Sequence, residues 1–184
     1  MSLKTDLIAQ IRKGTHPQDL SGVDLSACDL RQVNLSGVNL HGANLSCSDL
    51  TGAELSDTNF QYANLAHCNL SNTNLLDTKL DNARLTDVWA DRFNLRDTTV
   101  TGANFSRANL TSVNITHVTF AFNIFDGATF ENFQIYNMKL DSCVLSNVSF
   151  IDGKLTYVTF KDCYTALWLE EVEERNIKHI LSEF

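Results

Sequence analysis

No stretch of this 184-residue chain is apolar for long enough to cross a membrane as a helix, which needs about 20 such residues. The first apolar residues are interrupted by Lys4, Asp6, Gln10 and Arg12, so a signal-peptide core is absent and a cytoplasmic location is the expectation. Basic residues are scarce: 14 Lys and Arg stand against 22 Asp and Glu, a net charge of −8. Neutralising phosphates requires Lys and Arg, which argues against direct binding of nucleic acid. There is no Gly-rich phosphate loop, no CxxC pair and no Cys/His cluster with metal-ligand spacing. His16, His41, His67, His117 and His179 are scattered, and none belongs to a motif that pairs it with a nucleophile or carboxylate. Residues 20 to 160 contain no insertion that could close over a substrate. The expectation is a chain with no catalytic residues, no metal site and no cofactor.

What the sequence does contain is a period of five. "LSGVNLHGANLSCSDLTGAEL" places Leu35, Leu40, Leu45, Leu50 and Leu55 at every fifth position. In an α-helix, steps of five would carry the leucines around the cylinder, since each residue advances by about 100°. In a flat strand side chains alternate faces, and an odd spacing would send successive leucines to opposite sides. A backbone that turns a corner every five residues resolves both conflicts, because each corner re-aims the next segment toward a common axis. The repeat runs without a slip from Leu20 to Phe160, mostly as Leu and Phe, with Ile115, Ile135, Val100 and Ala90. Two residues earlier lies a column of small residues such as Val38, Ala43, Ser48, Ala53 and Ala63. Between the two runs a polar column rich in Asn and Asp, residue types that tolerate turns and bond nearby backbone.

"GANLS", "TGAEL", "YANLA" and "RANLT" resemble the A(D/N)Lxx grammar of the pentapeptide repeat family over about three quarters of the chain. The resemblance implies an all-β solenoid, a right-handed quadrilateral parallel β-helix with four pentapeptides to a coil; the length of the repeat then gives about seven coils, and the flanks read as short helical caps at both ends. At the usual strand separation of ~4.8 Å the rod would be roughly 34 Å long, with residues twenty apart stacked on one another. Three regions follow: a cap helix and linker over 1–17, the repeat β-helix over 18–163, and a helical cap over 164–184. In the first, Leu3, Leu7, Ile8 and Ile11 have helical spacing and Gly14 a stop position. In the last, Leu169, Val172, Ile177, Ile180 and Phe184 fall on one helical face, suited to covering the final coil or to pairing as a homodimer.

Of the five cysteines, Cys28, Cys68, Cys143 and Cys163 fall in the small inward column, where cysteine acts as a small hydrophobe, and Cys47 falls near a corner. Only Cys143 and Cys163 stack on adjacent coils. Function is therefore sought on surfaces, and the partner expected is another protein. Between residues 20 and 78, Asp24, Asp29, Asp49, Glu54, Asp57 and Asp77 face Arg31 alone, whereas Lys79, Arg84, Arg92, Arg96 and Arg107 fall at mid-rod. Some family members act as acidic rods that imitate DNA and bind type II topoisomerases, so the resemblance raises gyrase as an alternative partner. The charge here is much sparser than the one per ~1.7 Å of duplex DNA. Asp57, Asp77 and Asp97, each twenty apart, are expected to form a ladder with His117 as its next rung; like carboxylates so close should raise one another's pKa or recruit a cation. Phe122 and Ile124 replace polar outward residues, with Asn123 between them in the inward column, and Trp89 takes an outward polar position. Asp49, Asp57, Asp77, Asp97, Trp89, Phe122 and Ile124 are thus the candidate interaction surface.

Overall fold

A computed structural model describes residues 3–164, which form one helix followed by a β-solenoid. The proposed C-terminal cap and any homodimer contact through it lie outside the described residues. Helix α1 spans Leu3–Lys13 and ends in paired bonds from the Gly14 N–H to the Ile11 carbonyl (3.0 Å) and from the Thr15 N–H to the Gln10 carbonyl (3.0 Å). This arrangement requires the left-handed conformation that Gly14 adopts, at φ +67°. Ile11 is buried, and Leu7 and Ile8 pack against the end of the solenoid core. Leu3, expected on the same apolar face, instead points outward and is 91% exposed.

From Asp19 onward the backbone pairs with itself in a parallel register of twenty, beginning with the bridge Asp19↔Asn39 and ending with Val144↔Tyr164. A residue with positive φ recurs at five-residue intervals, as at Gly37, Gly42, Cys47, Gly52, Asp57 and Tyr62. Five residues per corner and twenty per coil make the section four-sided. From Leu35 to Leu55 each inward Leu accepts a turn bond from three residues on, as from Val38 N–H to Leu35 (3.1 Å) and Ala53 N–H to Leu50 (2.9 Å). With positive φ at the third residue these are type II turns, and they leave room only for isolated bridges between them.

Longer strands begin at Asn74, so regular sheet occupies about four turns rather than the whole rod. In chain order they are β1 (Asn74–Leu76), β2 (Asn94–Arg96), β3 (Thr99–Thr101), β4 (Asn109–Thr111) and β5 (Asn114–Ala121). There follow β6 (Thr129–Glu131), β7 (Gln134–Asp141), β8 (Ser149–Ile151), β9 (Lys154–Thr156) and β10 (Thr159–Lys161). One sheet runs β1-β2-β5-β7-β10, with β3 on β5 and β9 on β7, and a second runs β4-β6-β8; every pair is parallel. Strand β5, "NITHVTFA", passes through its corner at His117 without a break because β-branched Ile115, Thr116, Val118 and Thr119 favour extended backbone.

The core is one continuous column, with Leu25 through Leu55 fully buried and stacked phenylalanines toward the C-terminal coils. Phe105 lies on Phe125 at 4.9 Å between ring centroids, and Phe130 on Phe150 at 4.9 Å. Several polar members of the small column are buried at little cost, since they donate to the carbonyl 23 residues earlier, whereas Thr73 donates to Leu70, three residues earlier. Ser48 donates to Leu25 (2.6 Å), Thr58 to Leu35 (2.8 Å), Thr78 to Leu55 (3.0 Å) and Asn123 to Val100 (2.7 Å). Ala90, small in the large column, and Phe93, large in the small one, are both buried. An exchange of volume between the two columns is the expectation, since dense interiors tolerate neither voids nor overpacking. Ala90→Leu alone should therefore overpack and lower stability by about 1–3 kcal/mol; a thermal melt showing clear stabilisation would contradict the exchange.

Candidate interaction surface

The seven residues singled out from the sequence do not converge on one patch. Asp49 and Trp89 share an outward column on one face, linked by Asp49↔Asn69↔Trp89, and Trp89 is 57% exposed. Asp57, Asp77 and Asp97 occupy successive left-handed positions at one corner, and His117 follows as the next rung. Phe122 is a left-handed corner residue elsewhere in the section, 65% exposed. Ile124, two residues on, starts an apolar column with Val144 and Tyr164 that succeeds Arg84 and Asn104. Asn123 between them turns inward and is completely buried.

The carboxylate ladder behaves differently from the expectation at its last member. Arg96 Nε lies 2.7 Å from Asp97 Oδ2, and His117 Nδ1 lies 3.1 Å from Asp97 Oδ1. These partners hold the Asp97 carboxyl below its ordinary range, the Arg96 bond foremost, so Asp97 is not raised by its neighbours. A nearby cation outweighs a like charge a coil away, because it sits at hydrogen-bond distance. Asp57 and Asp77 form no ion pair among the described residues.

The acidic N-terminal third is also less acidic than its own segment suggests. Helix α1 brings Lys4 to Asp24 (3.3 Å) and Arg12 to Asp29 (2.7 Å), while Arg31 bridges Asp29 (2.8 Å) and Asp49 (3.8 Å). Bonds from Ser26 and then Lys4 lower the Asp24 carboxyl to about 2, and Arg31 draws Asp29 lower still. Half a coil from the aspartate ladder, Arg107 grips Asp87 with two 2.7 Å bonds and holds its carboxyl down, with His67 at 4.0 Å on the other side.

The continuous surface feature was not singled out from the sequence. Beyond Asp97 the corner becomes aromatic: the Tyr136 ring, on β7, meets His117 edge-on at 5.7 Å and Tyr157 edge-on at 5.4 Å. Tyr136 and Tyr157 are both exposed, the latter at 72%. They occupy different positions of the five-residue repeat, and a reading by column separates them. The only signal available was their separation of twenty-one, which places one diagonally above the other on adjacent coils.

The fold defines a class: a β-solenoid of stacked twenty-residue coils. The chain belongs to the pentapeptide repeat family, whose model, "Pentapeptide repeats", matches in 8 copies over residues 19–57, 48–88, 58–97 and 91–132. Among solved structures it is similar to a trypsin-treated variant of QnrB1, a plasmid-mediated fluoroquinolone resistance protein. That alignment has 16% identity and a TM-score of 0.50, covering 84% of this chain and 89% of that one. It also resembles Rfr23, a pentapeptide repeat protein of the cyanobacterium Cyanothece 51142, with 21% identity, a TM-score of 0.35 and coverage of 88% and 99%. A third relative is a pentapeptide repeat protein of the Arabidopsis thaliana thylakoid lumen, with 26% identity, a TM-score of 0.31 and coverage of 55% and 71%. No curated protein matches the sequence.

Proposed function

We propose that this chain is a non-catalytic, cytoplasmic, right-handed pentapeptide repeat scaffold that offers a rigid surface to a protein partner. The observation that supports this reading is the aromatic edge of His117, Tyr136 and Tyr157. Large rings with few rotatable bonds lose little entropy on binding and dominate many interfaces. Here they stand on β5, β7 and the adjoining corner, where parallel pairing in register fixes their spacing. Trp89, Phe122 and Ile124 are secondary contact positions on other faces.

A second reading, a DNA mimic directed at gyrase, draws on the in-register carboxylates of Asp57 and Asp77 and on the fold shared with QnrB1. The cations that α1 and Arg31 bring to Asp24, Asp29 and Asp49 weaken it, because a phosphate mimic needs uncompensated charge. One comparison separates the two. Partner retention from host extract is measured for the native chain, for Tyr136→Ser with Tyr157→Asn, and for Asp49→Asn with Asp57→Asn and Asp77→Asn; supercoiling by purified gyrase is measured alongside. The expected result is at least about tenfold weaker retention for the tyrosine variant, unchanged retention for the aspartate variant, and no effect on gyrase. Gyrase inhibition by the native chain, abolished by the three aspartate changes and by salt, would replace the first reading with the second.

A further inference from the structure

We propose that Cys143 and Cys163 form an oxidant-sensitive thiol pair, a site at which a hydroperoxide creates a disulfide joining the last two described coils. Among the five free cysteines only these two are neighbours along one inward column. Cys28 and Cys68 are separated by the coil that carries Ser48, and Cys47 lies at an exposed corner. The bridge Val144↔Tyr164, with the Tyr164 N–H donating to the Cys143 carbonyl at 2.8 Å, fixes Cys143 and Cys163 one coil apart. Parallel neighbours at ~4.8 Å fall inside the Cα separation that a disulfide spans, about 4.4–6.8 Å. Both side chains point the same way: Cys143 Sγ reaches the Phe120 carbonyl at 3.4 Å and Cys163 Sγ the Leu140 carbonyl at 3.5 Å. The neighbouring thiol favours ionisation of Cys163, drawing it below its ordinary range, and with burial pushes Cys143 up.

This asymmetry assigns the roles. Cys163 is partly exposed and ionises first, so it attacks, whereas Cys143 is buried and resolves. The Cys163 thiolate attacks one oxygen of the hydroperoxide and the O–O bond breaks. Cys163 becomes a sulfenic acid, and the departing oxygen takes a proton to leave as an alcohol, or as water from hydrogen peroxide. Cys143 sulfur then attacks the Cys163 sulfur, the S–O bond breaks, and the hydroxyl leaves as water with the Cys143 proton. Two thiols are oxidised by two electrons and one hydroperoxide is reduced. The product closes a loop of twenty residues and ties down the coil that carries Tyr157 and Tyr164.

The full chain is reduced, exposed to hydrogen peroxide, alkylated under denaturing conditions and digested with trypsin. Cleavage after Lys139, Lys154 and Lys161 leaves Cys143 and Cys163 on separate peptides. The expected result is one linked species, lighter than the two peptides together by two hydrogens, formed while Cys28 and Cys68 remain alkylatable. Cys143→Ser keeps the carbonyl bond available, since Ser48 makes the corresponding bond to Leu25 at 2.6 Å. In that variant the linked species should vanish and Cys163 should accumulate as a sulfenic acid captured by dimedone. Cys143 and Cys163 peptides that stay unlinked in the native chain while Cys47 oxidises would overturn the proposal, as would dimedone capture at Cys143 in place of Cys163.

Discussion

Asn123→Ala should destabilise the solenoid by about 2–6 kcal/mol, since it strips the partner from two buried backbone groups and each such loss costs ~1–3 kcal/mol. Asn123 is wholly buried; its amide donates to the Val100 carbonyl at 2.7 Å, and its Oδ1 accepts from the Ala103 N–H at 2.6 Å. The equivalent position of another pentapeptide already shows a smaller side chain doing both. Ser48 Oγ accepts from the Cys28 N–H at 3.0 Å and donates to the Leu25 carbonyl at 2.6 Å, the same offsets of 20 and 23 residues. Asn123→Ser should therefore recover most of what Asn123→Ala loses, although it is also a truncation. Urea unfolding of the three proteins provides the check. Equal losses for Ser and Ala would mean that volume, and not the pair of bonds, decides this position.

The second large effect is expected at Gly153. A methyl group there would lie 2.2 Å from two atoms of the Phe133 ring, one coil earlier in the same inward column. Phe133 has little room to retreat, since its ring meets Phe130 at 6.3 Å and Phe150 at 5.5 Å, edge-on in both cases. Gly153→Ala should cost about 1–3 kcal/mol through overpacking. Combined with Phe133→Val, the same change should be nearly neutral relative to Phe133→Val alone, because the obstructing ring is gone. A double-mutant cycle measures this coupling, and additive losses would show that the strain has another source. Glycine is required here for space, its φ being ordinary, unlike the corner positions.

How far the sequence reached can be followed residue by residue. Leu25 to Leu55 sit inside as their period demands, and Asp57, Asp77, Asp97 and His117 follow one another along one corner. The swap of a small residue for a large one at Ala90 and the reverse at Phe93 was legible because both lie in one short stretch, and both are buried. Lys4 on Asp24 and Arg12 on Asp29 were not, because they arise from where α1 docks and not from any repeat. Tyr136 and Tyr157 escaped for a related reason: their contact is diagonal between coils and crosses two columns.

The sequence by itself determined the inward column and the corner every five residues, since turn geometry and the burial of one side chain per corner are short-range requirements that each pentapeptide meets alone. Twenty residues per coil came with the family resemblance, and the parallel register from Asp19↔Asn39 to Val144↔Tyr164 agrees with it. Only the tertiary structure decided which outward residues meet. Surface contacts depend on stacking between coils and on the docking of α1, and both join residues that no local pattern relates. That is why Asp97 rests between Arg96 and His117, and why the acidic N-terminal surface carries its own cations.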